Sequence, residues 1–246
     1  MKIASSALSD IGLVRRENQD SSGHFPDRHL FVVADGMGGH KGGKQASQMA
    51  VATIEERCVA ATQTARFDLE LLRLVEAVRD ANRSILERGS HDDDLSRMGT
   101  TVVALLLDGI SQAAIVHVGD SRAYRLRNGQ LELLTVDHTV VSDLLRNNGI
   151  SAAEASAHPY RHVLTRALGA TDDVDAEVRH VELHPDDVYV LCSDGVSGML
   201  SEQQIEAIIA AHRDDPQAVC RELIAAANRA GGKDNATAIA VICSDE

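Results

Sequence analysis

The chain of 246 residues is long enough for one domain with a sizeable core, and 24 basic against 37 acidic residues give a net charge of −13. That balance disfavours nucleic acid and anionic membrane surfaces as partners, and no uncharged apolar run approaches the ~18 residues of a membrane span, so the reading is of a protein that does not enter a membrane. Cys58, Cys192, Cys220 and Cys243 have no CxxC spacing, which predicts reduced core residues of a cytosolic, cytoplasmic protein and no zinc site.

Ile3 to Leu8 reads as a first strand, followed by a polar loop, Asp10 to Ser22, in which Arg15 and Arg16 lie near Asp20. His29 to Ala34 is apolar, rich in Val and Phe and too short for a helix. It reads as a buried strand that carries Asp35 to its exposed end, where Gly36, Gly38 and Gly39 break the run. Helical spacing predicts a helix over Gln45 to Ala60. A stronger one covers Asp68 to Leu86, with Leu69, Leu72, Val75, Val78, Ala81 and Ile85 as its apolar residues and Asp68 as N-cap. His91-Asp92-Asp93-Asp94 follows no strand and reads as a solvated loop.

Thr100 to Leu107 and Gln112 to Val118 are strands joined at Asp108-Gly109. Ala123 to Arg127 and Leu131 to Thr135 flank Asn128-Gly129, a hairpin signal. A helix opens at Asp137-His138, runs to about Asn147 and ends at Gly149. Ser151 to His162 has weak periodicity and reads as a flap. Val163 to Leu168, Ala176 to Leu183, the strand Val188 to Cys192, helices over Glu202 to His212 and Pro216 to Ala230, and a last strand Ala236 to Cys243 complete the chain. Strands grouped with pairs of helices, without strict βαβ alternation, predict an antiparallel two-sheet core covered by helices.

One aspartate after a strand is ordinary turn chemistry. Here the pattern recurs at Asp35, at Asp120 after Val116 to Gly119, at Asp194 after Val188 to Ser193 and at Asp234 before Asn235, with Asp20 preceding the second strand. If these strand ends converge, the carboxylates repel one another unless cations neutralise them, and an oxygen-only donor set suits Mg²⁺ or Mn²⁺. Gly38 to Lys44 imitates a phosphate-cradling loop, but Gln45 stands where a hydroxyl would ligate Mg²⁺, so nucleotide hydrolysis is the lesser enzymatic reading. Cysteine-based phosphate chemistry lacks its arginine, since Thr64, Gly198 and Ala226 stand in the corresponding places after Cys58, Cys192 and Cys220, and no HExxH spacing occurs among the eleven histidines.

Taken in order, Arg15-Arg16-Glu17-Asn18-Gln19-Asp20, Asp35-Gly36-Met37-Gly38-Gly39-His40, Gly99-Thr100-Thr101, Val118-Gly119-Asp120-Ser121-Arg122, Ser193-Asp194-Gly195 and Lys233-Asp234-Asn235-Ala236-Thr237 resemble the bacterial branch of the metal-dependent PP2C-type Ser/Thr protein phosphatases. The resemblance covers nearly the whole chain. It implies an α+β fold, a four-layer α-β-β-α sandwich of two antiparallel sheets flanked by helix pairs, as a single catalytic domain over 1–246 with a flap at about 149–162.

The same resemblance implies that Asp20, Asp35, Asp194 and Asp234, with the Gly36 carbonyl, hold two Mn²⁺ or Mg²⁺ ions, and that Asp120 with Asp194 offers a place for a third. Two such ions about 3.5–4 Å apart lower the pKa of a bridging water and align the hydroxide with phosphorus. Arg15 matches the arginine that holds the substrate phosphate, and Asn235 the residue supporting the last metal aspartate. Many eukaryotic relatives carry histidine directly after Asp-Gly, as a proposed general acid; Met37 stands there in this chain, which leaves His40 as the nearest substitute, metal-bound water as another, and structural packing as the other reading of His40. The implied function is hydrolysis of phosphoserine and phosphothreonine on proteins by a monomer that opposes a bacterial Ser/Thr kinase. The rival reading is a catalytically silent regulator.

Overall fold

The computed structural model describes residues 1–38, 42–60, 66–147, 149–151, 154–155 and 158–245. Its strands are β1 (Lys2–Asp10), β2 (Asp20–Phe25), β3 (Leu30–Met37), β4 (Gly99–Thr100), β5 (Val102–Leu107), β6 (Gln112–Val118), β7 (Arg122–Arg127), β8 (Gln130–Leu133), β9 (Glu177–Glu182), β10 (Val188–Cys192) and β11 (Ala236–Ser244). One sheet runs β1-β11-β10-β7-β8 and the other β2-β3-β5-β6-β9, with β4 added to β3, and every pairing is antiparallel. The helices are α1 (Gly42–Ile54), α2 (Phe67–Ser90), α3 (Val140–Arg146), α4 (Asp194–Ser197), α5 (Glu202–Ala211) and α6 (Pro216–Arg229). The expected four-layer α-β-β-α sandwich is the observed one, with α1 and α2 on one sheet and α5 and α6 on the other. No helix among the described residues is long and apolar enough to cross a membrane.

Residue parity along the strands sets the layers. In β3, Leu30, Val32 and Ala34 face α1 and α2, while Phe31 and Val33 face the other sheet. In β10, Val188, Val190 and Cys192 face helices, and Tyr189 and Leu191 join Ile239 and Val241 of β11 between the sheets. Continuing each period by one step puts Asp35, Ser193 and Thr237 at the end of the inter-sheet core. A polar layer therefore closes an otherwise apolar stack.

Several boundaries differ from expectation for identifiable reasons. β3 continues through Asp35 and Gly36 to Met37, because Gly36 and Met37 pair with Thr100 and Gly99 of β4. Thr101 separates β4 from β5, its N–H donating to the Asp35 carbonyl (2.9 Å). In α2 the buried stripe is Phe67, Leu71, Leu74, Val78, Ala81 and Ile85, and Leu69 and Leu72 are exposed on the opposite side. Phe67, absent from the expected apolar face, sets that phase, and the N-cap position falls to Arg66 with no side-chain cap, so Asp68 lies in the first turn. α3 starts at Val140, where the Thr139 hydroxyl accepts the Ser142 N–H (3.1 Å), so Asp137 and His138 precede the helix. Val163 to Leu168 is not a strand: Leu164 and Leu168 make isolated bridges to Thr139 and Thr100.

The loop that imitates a nucleotide site has another use. Gly42 and Gly43 lie in α1, and a Cβ on Gly43 would come within 2.7 Å of the Gly36 backbone. Glycine here lets the helix approach the strand that carries Asp35. Lys44 donates to Glu17 (2.9 Å) rather than standing free for a phosphate. Gly43→Ala is expected to destabilise the protein by about 1–3 kcal/mol through this backbone overlap, lowering Tm by several degrees in thermal unfolding. An unchanged Tm would show that the helix can simply shift away.

Candidate metal centre and active site

Five aspartates meet at one end of the sandwich. Asp20 and Asp35 are directly opposed in the β2–β3 pair. Asp120 follows β6, Asp194 opens α4 directly after β10, and Asp234 precedes β11. Asp35, Gly36, Asp120, Asp194 and Asp234 line a cleft of about 1090 Å³, together with Arg15. Asp20 is not among the lining residues and is fixed from behind them: its Oδ2 accepts the hydroxyls of Ser193 (2.7 Å) and Thr237 (2.6 Å). Its Oδ1 is buried with no hydrogen-bond partner among the described residues.

Backbone and hydroxyl groups hold the acids in place. The Asp35 N–H donates to the Thr101 hydroxyl oxygen (3.0 Å), which shares a hydrogen bond with Ser121 (2.7 Å), and the Asp35 carbonyl accepts the Thr100 hydroxyl (2.8 Å). Asn235 is a latch. Its Oδ1 accepts the Gln19 N–H (2.8 Å), and its Nδ2 donates to the carbonyls of Ile11 (2.9 Å) and Glu17 (3.0 Å), tying the loop of Arg15 to the turn of Asp234. A Cβ on Gly195 would fall 1.8 Å from the Asn235 carbonyl oxygen, so the residue after Asp194 has no room for a side chain.

The acids perturb one another. Burial raises Asp20 to about 6, against the two hydroxyls, with Asp194 and Asp234 adding to the rise. Burial first, then Asp20, Asp194 and the other acids, pushes Asp35 well above the carboxylate range. Asp120 rises to about 7 through burial and the Asp194 charge. Asp194 is raised by burial and Asp234, while a hydrogen bond with Asp35, then His162 and Arg15, act in the opposite sense. Such a group carries its full negative charge near neutrality only with cations among it. An orphaned buried oxygen on Asp20 and an all-oxygen donor set fit Mg²⁺ or Mn²⁺.

Arg15 donates to Asp234 at 2.5 Å, with about half of the arginine side chain and a third of the aspartate exposed. A pair this open contributes ~0–1 kcal/mol, so the guanidinium fork can exchange the carboxylate for a phosphoryl group at little cost. Arg16, Arg161 and Lys233 complete the cationic part of the cleft, His162 adds an imidazole, and Val14, Met37, Leu164 and Met199 form its apolar part. Arg161 and His162 were not singled out in the sequence; their signal was an arginine and an imidazole side by side at the end of a flap with little other charge. His40, the expected substitute acid, lies outside the described residues, as do parts of the flap.

Comparison with known proteins follows the same outline. The model of the family described as Protein phosphatase 2C matches residues 15–230. Serine/threonine phosphatase stp of Listeria monocytogenes serotype 4b is 36% identical over 236 residues, covering 95% of this chain and 93% of that protein. Serine/threonine protein phosphatase PstP of Mycobacterium tuberculosis is 38% identical over 240 residues, 95% of this chain and 43% of that longer protein. The crystal structure of the M. tuberculosis phosphatase PstP/Ppp superposes with a TM-score of 0.90 at 36% identity over 99% of both chains. The PstP catalytic domain in complex with two manganese ions gives a TM-score of 0.88 at 34% identity, over 99% of each chain.

A carboxyl whose folded pKa is raised binds more protons in the folded than in the unfolded state, so its contribution to stability is full below the unfolded value and is lost as pH rises through the folded one. For Asp120 the window runs from the ordinary carboxyl value of 3.8 to about 7. In the presence of a chelator, Asp120→Asn is therefore expected to gain Tm relative to wild type as pH rises from about 5 to about 8. A variant-minus-wild-type difference that stays flat across that range would contradict the charge crowding.

Proposed function

The chain belongs to the protein phosphatase 2C family, and from that premise we propose that it removes phosphate from phosphoserine and phosphothreonine in proteins, with Asp35, the Gly36 carbonyl, Asp194 and Asp234 holding two Mn²⁺ or Mg²⁺ ions. Asp20 completes that set from behind the cleft, and Asp120 with Asp194 takes a third ion. The observation that carries this reading is the meeting of Asp35, Asp194 and Asp234 in one cleft with Arg15 among them. When bound, the ions lower the pKa of the attacking water and neutralise the phosphoryl oxygens.

The protein's own residues do the rest. Arg15 grips two phosphoryl oxygens with its planar fork and sets the phosphorus in line for attack. Asn235 keeps the Arg15 loop against Asp234, so substrate and ion sites stay in register. Met37 lines the cleft but has no proton to give, and the leaving alkoxide must be protonated by another group. His40 is the sequence neighbour suited to that role, and His162 is an imidazole that lines the cleft. Opposition to a Ser/Thr kinase, a cytoplasmic location and action as a monomer belong to the same proposal.

Asp194→Asn and Asp20→Asn are each expected to abolish Mn²⁺-dependent hydrolysis of p-nitrophenyl phosphate and of a phosphothreonine peptide. Full activity of either purified variant would reject the assignment. Arg15→Ala is expected to raise KM by about 10- to 100-fold with little change in kcat, matching loss of a ~1.5–3 kcal/mol charged hydrogen bond made equally in ground and transition states. An unchanged KM would remove Arg15 from phosphate binding.

A further inference from the structure

Asp120 sits on a turn that is held from both sides by two consecutive residues. Asp137 takes the guanidinium of Arg122 with both oxygens (2.9 and 2.7 Å). His138 takes Gly119 twice: its ring Nδ1 accepts the Gly119 N–H (3.1 Å), and its own N–H donates to the Gly119 carbonyl (3.0 Å). Gly119 has φ +104°, and a Cβ there would come within 2.6 Å of the Thr101 side chain, so the turn requires glycine, whose backbone freedom leaves its course to be fixed by partners for its N–H and carbonyl.

The proton positions on His138 follow from those partners. A backbone N–H can only donate, so Nδ1 must carry a lone pair and the ring proton of the neutral imidazole lies on Nε2. Nε2 is 3.3 Å from a carboxylate oxygen of Glu177, which stabilises that tautomer. The ring is buried and stacks on His117 with centroids 4.8 Å apart and planes 13° from parallel. His117 is fixed in turn, its Nε2 donating to the Val136 carbonyl (3.0 Å), and it pairs with Glu177 across β6 and β9.

His117, His138 and Glu177 also bring three potential ligand atoms within 4.8 Å of one another. The Nδ1 of His117 has no hydrogen-bond partner among the described residues. Chelation is nevertheless disfavoured, because imidazole lone pairs lie in the ring plane and two nearly parallel stacked rings cannot aim theirs at one ion. His138 moreover has its lone pair engaged by Gly119 and its proton on the side of Glu177.

We propose that His138 is a positioning residue for Asp120: by accepting the Gly119 N–H in the tautomer selected by Glu177, it holds the Asp120 carboxylate at the angle needed to bind the third divalent ion with Asp194. This rests on the reading of Asp120 as an ion ligand. The Thr165 N–H donates to the His138 carbonyl (2.8 Å), so the same residue also fastens the chain just beyond the flap to the Asp120 turn.

Calorimetric titration of the full chain with Mn²⁺, with activity not measured, tests the proposal. Asp120→Asn is expected to lose one binding step. His138→Leu is expected to weaken that same step about 10- to 100-fold and to leave the others unchanged, as for residues that orient a ligand. His138→Asn, whose side-chain oxygen can reach the Gly119 N–H from the place of Nδ1, should restore it, and His138→Gln, whose oxygen falls nearer the place of Nε2, should not. This last pair keeps the test decisive if the leucine variant fails to fold. Loss of a step in Asp120→Asn with wild-type titration of His138→Leu overturns the positioning role, as do equal titrations of the Asn and Gln variants or uniform weakening of every step. Wild-type titration of Asp120→Asn overturns instead the reading of Asp120 as a ligand.

Discussion

Mutual repulsion among the aspartates at the end of the inter-sheet core is the constraint on which the rest of the structure depends. Asp20, Asp35, Asp120 and Asp194 are each pushed upward first by burial and then by at least one neighbouring aspartate, which for Asp194 is Asp234. A fold assembled for stability alone would end its core on apolar residues, as it does on the remaining layers. Here it ends on acids, and their neighbours are almost all groups that orient them: the hydroxyls of Thr100, Thr101, Ser193 and Thr237, and the backbone amides around them. Oriented dipoles in a poorly hydrated site remain aimed when the charges beside them change, which is the property a divalent-ion site requires.

Two sheets are needed for this arrangement. Asp20, Asp35 and Asp120 come from one sheet, and Asp194 and Asp234 from the other, so the site exists only while the sheets stay packed. Phe31, Val33, Leu105, Ile115, Tyr189, Leu191, Ile239 and Val241 form the core that sets their spacing. A one-residue slip in β3 would turn Asp35 toward α1, since parity alone decides the face of a strand on which a side chain emerges. Close backbone approaches at Gly36–Gly43 and at Gly195–Asn235 then lock the ends of these strands to their neighbours.

The apolar periodicity made the layers legible before any coordinates: β6, α5, α6, β11 and the Asn128-Gly129 hairpin fall within a residue or two of where the pattern places them. Asn128 and Gly129 both adopt positive φ, as that turn demands. Failures cluster where tertiary hydrogen bonds override local pattern. Asp137 and His138 look like a helix start, yet their side chains are engaged by Arg122 and Gly119, which no local signal announces. Val163 to Leu168 has the composition of a strand, but only Leu164 and Leu168 find bridge partners. The acids of the site were legible because each one punctuates a strand. Arg161 and His162 were not, because they reach the cleft from an irregular segment where sequence spacing carries no directional information.

Charge distribution explains how an acidic protein can attract an anionic substrate. The net charge of −13 is a property of the whole surface, and at physiological ionic strength its influence fades over about 8 Å. The cleft is lined by Arg15, Arg16, Arg161 and Lys233, and none of the last three appears in an ion pair among the described residues. Most other arginines are engaged by carboxylates, including Arg122, Arg125 and Arg127. The cleft thus combines exposed cations without carboxylate partners among the described residues with less exposed aspartates. The Arg15–Asp234 pair is itself half-open, so a cation held at Asp234 would compete with Arg15 for that carboxylate and would leave the guanidinium available to a phosphoryl group.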